Sequence, residues 1–198
     1  MDGTDAFSPL EGATNVLLLG PSVERTVDAG CKHLLSADAG RSVLAVSFTQ
    51  PPAQWIARWD ERVGERPPAT TVVTTSDTFT GPRADEDVGD DVDVEYLSSP
   101  GDLTGLGMLI SKYLERWHDQ ERRIALCFDS LTTLLQYDDL ENVYRFLHLI
   151  TTRLASADAR AHFHLDPATQ KDQSISTIAS TFDAVARYED DGWEIRTR

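Results

Sequence analysis

Four short stretches carry residue types that could do chemistry. The first, GPSVERTV, runs from Gly20 to Val27 and follows the apolar run Asn15–Leu19 as a phosphate-binding loop follows a buried strand. Such a loop, GxxxxGK[ST], needs glycines so that backbone N–H groups can wrap the phosphates, a lysine for the outer phosphates and a hydroxyl for Mg²⁺. Gly20 keeps the first position, but in ungapped register Arg25 stands at the second glycine, Thr26 at the lysine and Val27 at the hydroxyl. Allowing one deletion puts Arg25 in the lysine place and Thr26 in the hydroxyl place, and leaves Glu24 at the second glycine, where its carboxylate would repel a triphosphate. Conventional ATP hydrolysis is not expected. Gly20, Pro21, Ser22, Glu24, Arg25 and Thr26 form either a vestigial nucleotide site or a plain strand and turn.

The second stretch, RRIALCFDS, ends an apolar run in Asp129, as a strand does when it delivers a carboxylate to a magnesium-bound water. Any buried strand ending in Asp matches this pattern, with Asp129 then a turn residue or the N-cap of the next segment. Ser130 comes directly after it, so there is no adjacent second acid to act as a base. The third stretch, HFHLD, places His162, His164 and Asp166 on one strand face. With alternate residues ~6.6 Å apart, the three span ~13 Å, too far to chelate one ion without a bulge or turn. The spacing favours buried histidines, with Asp166 opening the turn at Pro167. Finally, Cys31 and Cys127 stand in separate apolar segments without CxxC or Cys/His ligand spacing, which reads as two reduced, buried thiols. No GxSxG elbow is present, and no catalytic residue or metal ligand is assigned.

These residues need elements to position them. NVLLLG reads as a buried strand, the segment from Val23 to Gly40 as a helix with its stripe at Val23, Val27, Cys31, Leu34 and Leu35, and RSVLAVSFTQ as a second strand. Pro51-Pro52 leads into an amphipathic helix carrying Trp55, Ile56, Trp59 and Val63, and ATTVVTTS is a β-branched third strand. An acidic, solvated loop surrounds a short strand at Val92–Leu97. Helices come next over Leu103–His118, capped by Asp102, and over Asp139–Ala155, separated by the strand that ends at Asp129. Tyr137, Tyr144, Phe146 and His148 widen the apolar surface of the second helix; core packing is the favoured reading and partner binding the other. ARAHFHLD is a strand, and ISTIASTFDAVARYED with DGWEIRTR gives a short helix and a hairpin.

Strands alternating with helices predict an α/β fold: a mostly parallel central sheet with helices on both faces and a C-terminal β-hairpin. Ligands of such sheets bind at the carboxyl ends of the strands, where Gly20, Gln50, Asp129 and Asp166 are expected. The strand ending at Asp129 is expected beside the strand ending at Gly20. Residues 1–14 are expected as a flexible N-terminal segment and 15–198 as one domain.

The charge balance limits the partners. There are 33 acidic residues against 18 basic ones, a formal charge of -15, and only Lys32, Lys112 and Lys171 are lysines. An acidic surface poor in lysine stays hydrated at very high salt, where screening removes most of its self-repulsion, so the composition reads as halophilic. Disorder is excluded by the 40% of hydrophobic residues, which cluster in periodic runs. A phosphate-tracking nucleic-acid surface is not expected, because it would need clustered Lys and Arg. The acidic start MDGTDAFSPLEG and the lack of an apolar run of ~20 residues predict a cytoplasmic protein without membrane insertion.

In this order, NVLLLG, RRIALCFDSLTTLL and the ending HFHLDPATQKDQSISTIASTFDAVARYEDDGWEIRTR resemble the RecA/KaiC-like ATPase superfamily. More narrowly, NVLLLGPS, VSFTQPPAQWIARW, LLQYDDLENVYRFLHLITTRL and AHFHLDP resemble a family of short haloarchaeal proteins related to KaiC whose phosphate loop has decayed. The resemblance implies a core built to bind ATP between subunits, to oligomerise and to serve signalling or regulation. The departures at the lysine, the second glycine and the catalytic acid remove hydrolysis and leave assembly. The expectation is a non-catalytic regulatory or scaffolding protein that needs no cofactor and works through a protein partner or as a homo-oligomer. The alternative is a nucleotide-binding switch that holds ATP and Mg²⁺ weakly, with Arg25 replacing the lysine, Asp129 helping to hold Mg²⁺ and slow hydrolysis as its outer limit; Asp129 and Ser130 belong with the vestigial nucleotide site.

Overall fold

A computed structural model describes residues 5–10, 12–21, 30–31, 34, 40–75, 88–189 and 192–198. Its strands are β1 (Asn15–Leu19), β2 (Ser42–Ser47), β3 (Thr70–Thr75), β4 (Val92–Leu97), β5 (Ile124–Asp129), β6 (Arg160–Leu165), β7 (Ala184–Glu189) and β8 (Gly192–Thr197). Five α-helices are described from end to end: α1 (Pro52–Arg62), α2 (Leu103–Asp119), α3 (Leu131–Tyr137), α4 (Leu140–Ser156) and α5 (Asp172–Ala179). The strands form one sheet in the order β4-β3-β2-β5-β6-β1-β7-β8. All neighbours are parallel except β7 and β8, which close the sheet as the expected antiparallel hairpin.

Why the central strands read as unbroken apolar or β-branched runs is plain from their surroundings. Every residue of β1, β2 and β3 is buried, because both faces of a parallel sheet are covered. Alternate residues still divide between two layers. Leu17 and Leu19, Leu44 and Val46, Leu126 and Phe128, and Phe163 and Leu165 face the layer formed by α2, α3, α4 and α5. Val16 and Leu18, Val43 and Ala45, and Ala125 and Cys127 face the other, which holds Cys31, Trp55, Ile56 and Trp59. Trp55 and Trp59 stack at 5.6 Å inside this second layer, so they serve the core.

The edges are handled differently. β4 carries Asp93 and Glu95, paired with Arg116 and Lys112 of α2, and β8 carries Glu194 and Arg196; charged side chains on an edge discourage pairing with another chain.

Two expectations change. The strand ending at Asp129 does not lie beside the strand ending at Gly20: β6 stands between them and pairs in parallel with both β1 and β5. Sequential order along the chain does not dictate neighbours in a parallel sheet, since each crossover can pass over an existing strand. The stretch after Asp129 also forms a helix of its own, α3, capped by Ser130 rather than Asp129; the Ser130 Oγ accepts from the Thr133 N–H. At the N-terminal end, Asp5–Leu10 makes a 3-10 turn whose Phe7 and Leu10 are buried, with Phe7 5.1 Å from Trp193 of β8.

Candidate functional site

A parallel sheet presents its strand ends and loops at its carboxyl edge, where ligands of such folds bind. Gly20 ends β1, with its N–H donating to Leu165 O at 3.2 Å, and Pro21 is exposed. Ser22, Glu24, Arg25 and Thr26, which would complete a phosphate loop, lie outside the described residues. With β6 between them, the ends of β1 and β5 are two strand spacings apart, roughly 10 Å. Asp129 is anchored locally: its carboxylate accepts from the Thr49 hydroxyl, and its carbonyl accepts from the Phe48 N–H at 2.8 Å.

Ser130 and Asp166 are both tied to α3. Ser130 is buried as the helix cap, and the Thr132 hydroxyl, in the first turn, accepts the Asp166 N–H at 2.9 Å. The Asp166 carboxylate turns back to accept from the Ala168 N–H at 3.0 Å, which is the turn-opening role its place before Pro167 implies. Gln50 is buried at the same edge, and its Oε1 has no partner among the described residues. His162 and His164 project to the face of the sheet that carries Cys127, and Cys127 is in register with His162.

A second concave surface lies between α2 and α4. Both helices bury an ordinary stripe, Leu106, Ile110, Tyr113, Leu114 and Trp117 on α2 and Val143, Phe146, Leu147, Ile150 and Leu154 on α4. Between their outer flanks runs an open groove of about 800 Å³, lined by Gly107, Met108, Ser111, Phe146, Leu149 and Arg153 among others. Gly107 faces the Phe146 ring across it, at a distance where a methyl group would make an ordinary contact. Met108 is 69% exposed and Leu149 52%. Tyr137, also exposed, packs beside Gly101 at one end. A bond from Arg153 to the Ser111 hydroxyl ties the two helices together.

Charge is organised behind α2. Glu95 of β4 accepts from Lys112 at 2.6 Å and from the Tyr113 hydroxyl at 2.8 Å. Burial raises the Glu95 pKa, but the bonds from Lys112 and Tyr113 outweigh it and hold the carboxyl below its ordinary value. Tyr113 is pushed up to about 12, first by burial and then by donating to Glu95, whose negative charge opposes loss of the phenolic proton.

Sequence reasoning placed Phe146 correctly among the core candidates, since it is buried, while His148 is exposed and stacks on the half-buried Tyr144. It missed the groove. The available signal was Met108 and Leu149, apolar residues that fall off the buried stripes of their helices.

The same architecture recurs in other proteins. The pattern of a protein family described as "Family of unknown function (DUF7504)" matches residues 13–188. The chain belongs to this family. No curated protein matches it. Among solved structures, an uncharacterised Pyrococcus horikoshii protein, PH0321, crystallised in complex with an unknown peptide, is similar over 92% of this chain and 81% of its own, at 14% identity and a TM-score of 0.58. A second P. horikoshii protein, PH0250, is similar over 98% of this chain and 91% of its own, at 11% identity and a TM-score of 0.56. At such identities the likeness speaks for the fold of this DUF7504 member alone.

Proposed function

We propose that the protein is a non-catalytic regulatory or scaffolding protein that works by holding a protein partner in the groove between α2 and α4, on a degenerate RecA/KaiC-like core. The observation that carries this reading is the exposure of Met108 and Leu149 on facing flanks of that groove. Large apolar side chains grouped at a concavity mark interaction surfaces more than singly scattered ones do. A helix-lined cleft that carries Met108, Phe146 and Leu149 together with charged side chains suits a peptide segment that brings its own apolar side chains. The peptide bound to the Pyrococcus protein PH0321 is consistent with a peptide-binding role in this fold.

The test is a binding experiment in molar salt, since the charge of -15 accords with a halophilic setting. Wild type and the double variant Met108→Glu, Leu149→Glu are compared for recovery of a defined partner from a native extract and for self-association by light scattering. Both positions are exposed, so the variant keeps its fold and loses the partner or the oligomer. Monomeric wild type with no partner, or a partner retained undiminished by the variant, would overturn the proposal.

A second reading, the weak nucleotide switch, is favoured by one observation: Gln50 is buried at the carboxyl edge with its Oε1 unpartnered among the described residues. It predicts that Mg²⁺ and ATP stabilise the fold by about 2.7 kcal/mol when ligand is at 100 times its dissociation constant. The scaffolding reading predicts no thermal shift at millimolar ATP.

A further inference from the structure

Four side chains meet on the face of the sheet opposite the groove. Cys127 of β5 and His162 of β6 are paired in register, His164 stands two residues further along β6 on the same face, and Cys31 reaches them from the helical residues that cover this layer. The Cys31 and Cys127 sulfurs are 3.1 Å apart, His162 Nε2 is 2.9 Å from Cys31 Sγ, and His164 Nε2 is 3.9 Å from Cys127 Sγ. One donor atom from each of the four residues lies within 4.8 Å of every other.

We propose that Cys31, Cys127, His162 and His164 form a closed tetrahedral binding site for zinc. Three observations converge on this. A tetrahedral centre with Zn–S about 2.3 Å and Zn–N about 2.0 Å holds its donor atoms roughly 3.3–3.8 Å apart, and the observed separations bracket that range. The donor set itself is two sulfurs and two imidazoles, a combination that suits zinc and excludes the oxygen-seeking Ca²⁺ and Mg²⁺. Two thiolates also neutralise a divalent ion, so the filled site carries no net charge into an apolar layer.

Placement supports a structural site. Cys31 and Cys127 are 2% and 0% exposed, His162 3%, and only His164 is half-buried, which leaves no open position for a substrate. On this face Cys127 has small neighbours, Ala45 opposite it on β2 and Ala125 two residues before it on β5. Gly30, next to Cys31, leaves no room for a side chain, because a methyl group there would stand 2.9 Å from the Trp193 ring.

The experiment uses the tag-free full chain, purified with reductant and zinc in molar salt and dialysed exhaustively. Elemental analysis should find one zinc per chain. After chelator stripping, cobalt titration should saturate at one equivalent and give the visible bands and sulfur charge-transfer absorption of a tetrahedral thiolate site. His164→Gln, at the least buried ligand, should fold and weaken cobalt binding about tenfold or more. Folded wild-type protein that holds no zinc and gives no cobalt–thiolate absorption overturns the proposal. So does cobalt binding unchanged in His164→Gln, or a Cys31–Cys127 disulfide in the protein kept under reductant.

Discussion

Tyr113 shows how a single side chain can be set by both burial and charge. It is 1% exposed, yet its hydroxyl reaches Glu95 at the sheet edge, where Lys112 also binds. Tyr113→Phe keeps the ring and removes one donor to an ionised carboxylate; the expected loss is about 1–2 kcal/mol in urea unfolding, since Lys112 continues to serve Glu95. The phenol also leaves a pH signature. Below its ordinary value of 10.0, folded and unfolded chains both keep the proton; between there and about 12 only the unfolded chain gives it up. The unfolded state then binds fewer protons, so stability falls as pH rises through that window. Wild type should lose stability there relative to Tyr113→Phe, and parallel pH curves for the two proteins would contradict the assignment.

At the scale of elements, three helices on the groove side, α2, α3 and α4, begin with side-chain caps. Asp102 accepts from the Gly105 N–H at 2.8 Å, Ser130 from Thr133 at 3.3 Å and Asp139 from Asn142 at 2.9 Å. Asp139 is the cleanest of these to test, because it is exposed and its neighbour Asp138 makes its own bond to the Asn142 side chain. Asp139→Ala should cost about 1 kcal/mol, with the expected change read as a lower urea midpoint at unchanged slope. If the slope changes instead, α4 is not simply losing a cap. The same helix carries Leu149 on its outer flank, so a loss of partner binding in this variant would tie the groove to the entry geometry of α4.

For the whole molecule, Asp183 joins the start of β1 to Arg198, the residue after β8. Asp183, just before β7, accepts from the Asn15 N–H at 2.8 Å and the Thr14 N–H at 3.2 Å, and its carbonyl accepts from the N–H of Arg198 at 3.0 Å. No helix among the described residues is long and apolar enough to cross a membrane. A formal charge of -15 acts on this body as a whole. The screening length falls from about 10 Å at 0.1 M salt to about 3 Å at 1 M, so self-repulsion between surface carboxylates should fade over that range. The thermal midpoint is expected to rise as sodium chloride goes from 0.1 M to molar levels. A flat or falling midpoint would remove the halophilic reading.

Much of this was legible in the residues themselves. The runs NVLLL, SVLAVS and IALCF, the stripes of α2 and α4, the caps Asp102 and Asp139 and the closing hairpin all arise from periods of 2.0 and 3.6 and from local side-chain to backbone bonds. Such signals are local, and they determined the element types and the α/β class. Tertiary structure alone decided which strands are neighbours. It put β6 between β1 and β5, parted Gly20 from Asp129, and exposed Met108 and Leu149 by the way α2 lies against α4. It also gathered Cys31, Cys127, His162 and His164 into one cluster from three separate segments; local spacing links only the two histidines. Long-range pairing and face-to-face packing make these contacts, and a residue's own neighbours in the chain carry no record of what lies across the sheet.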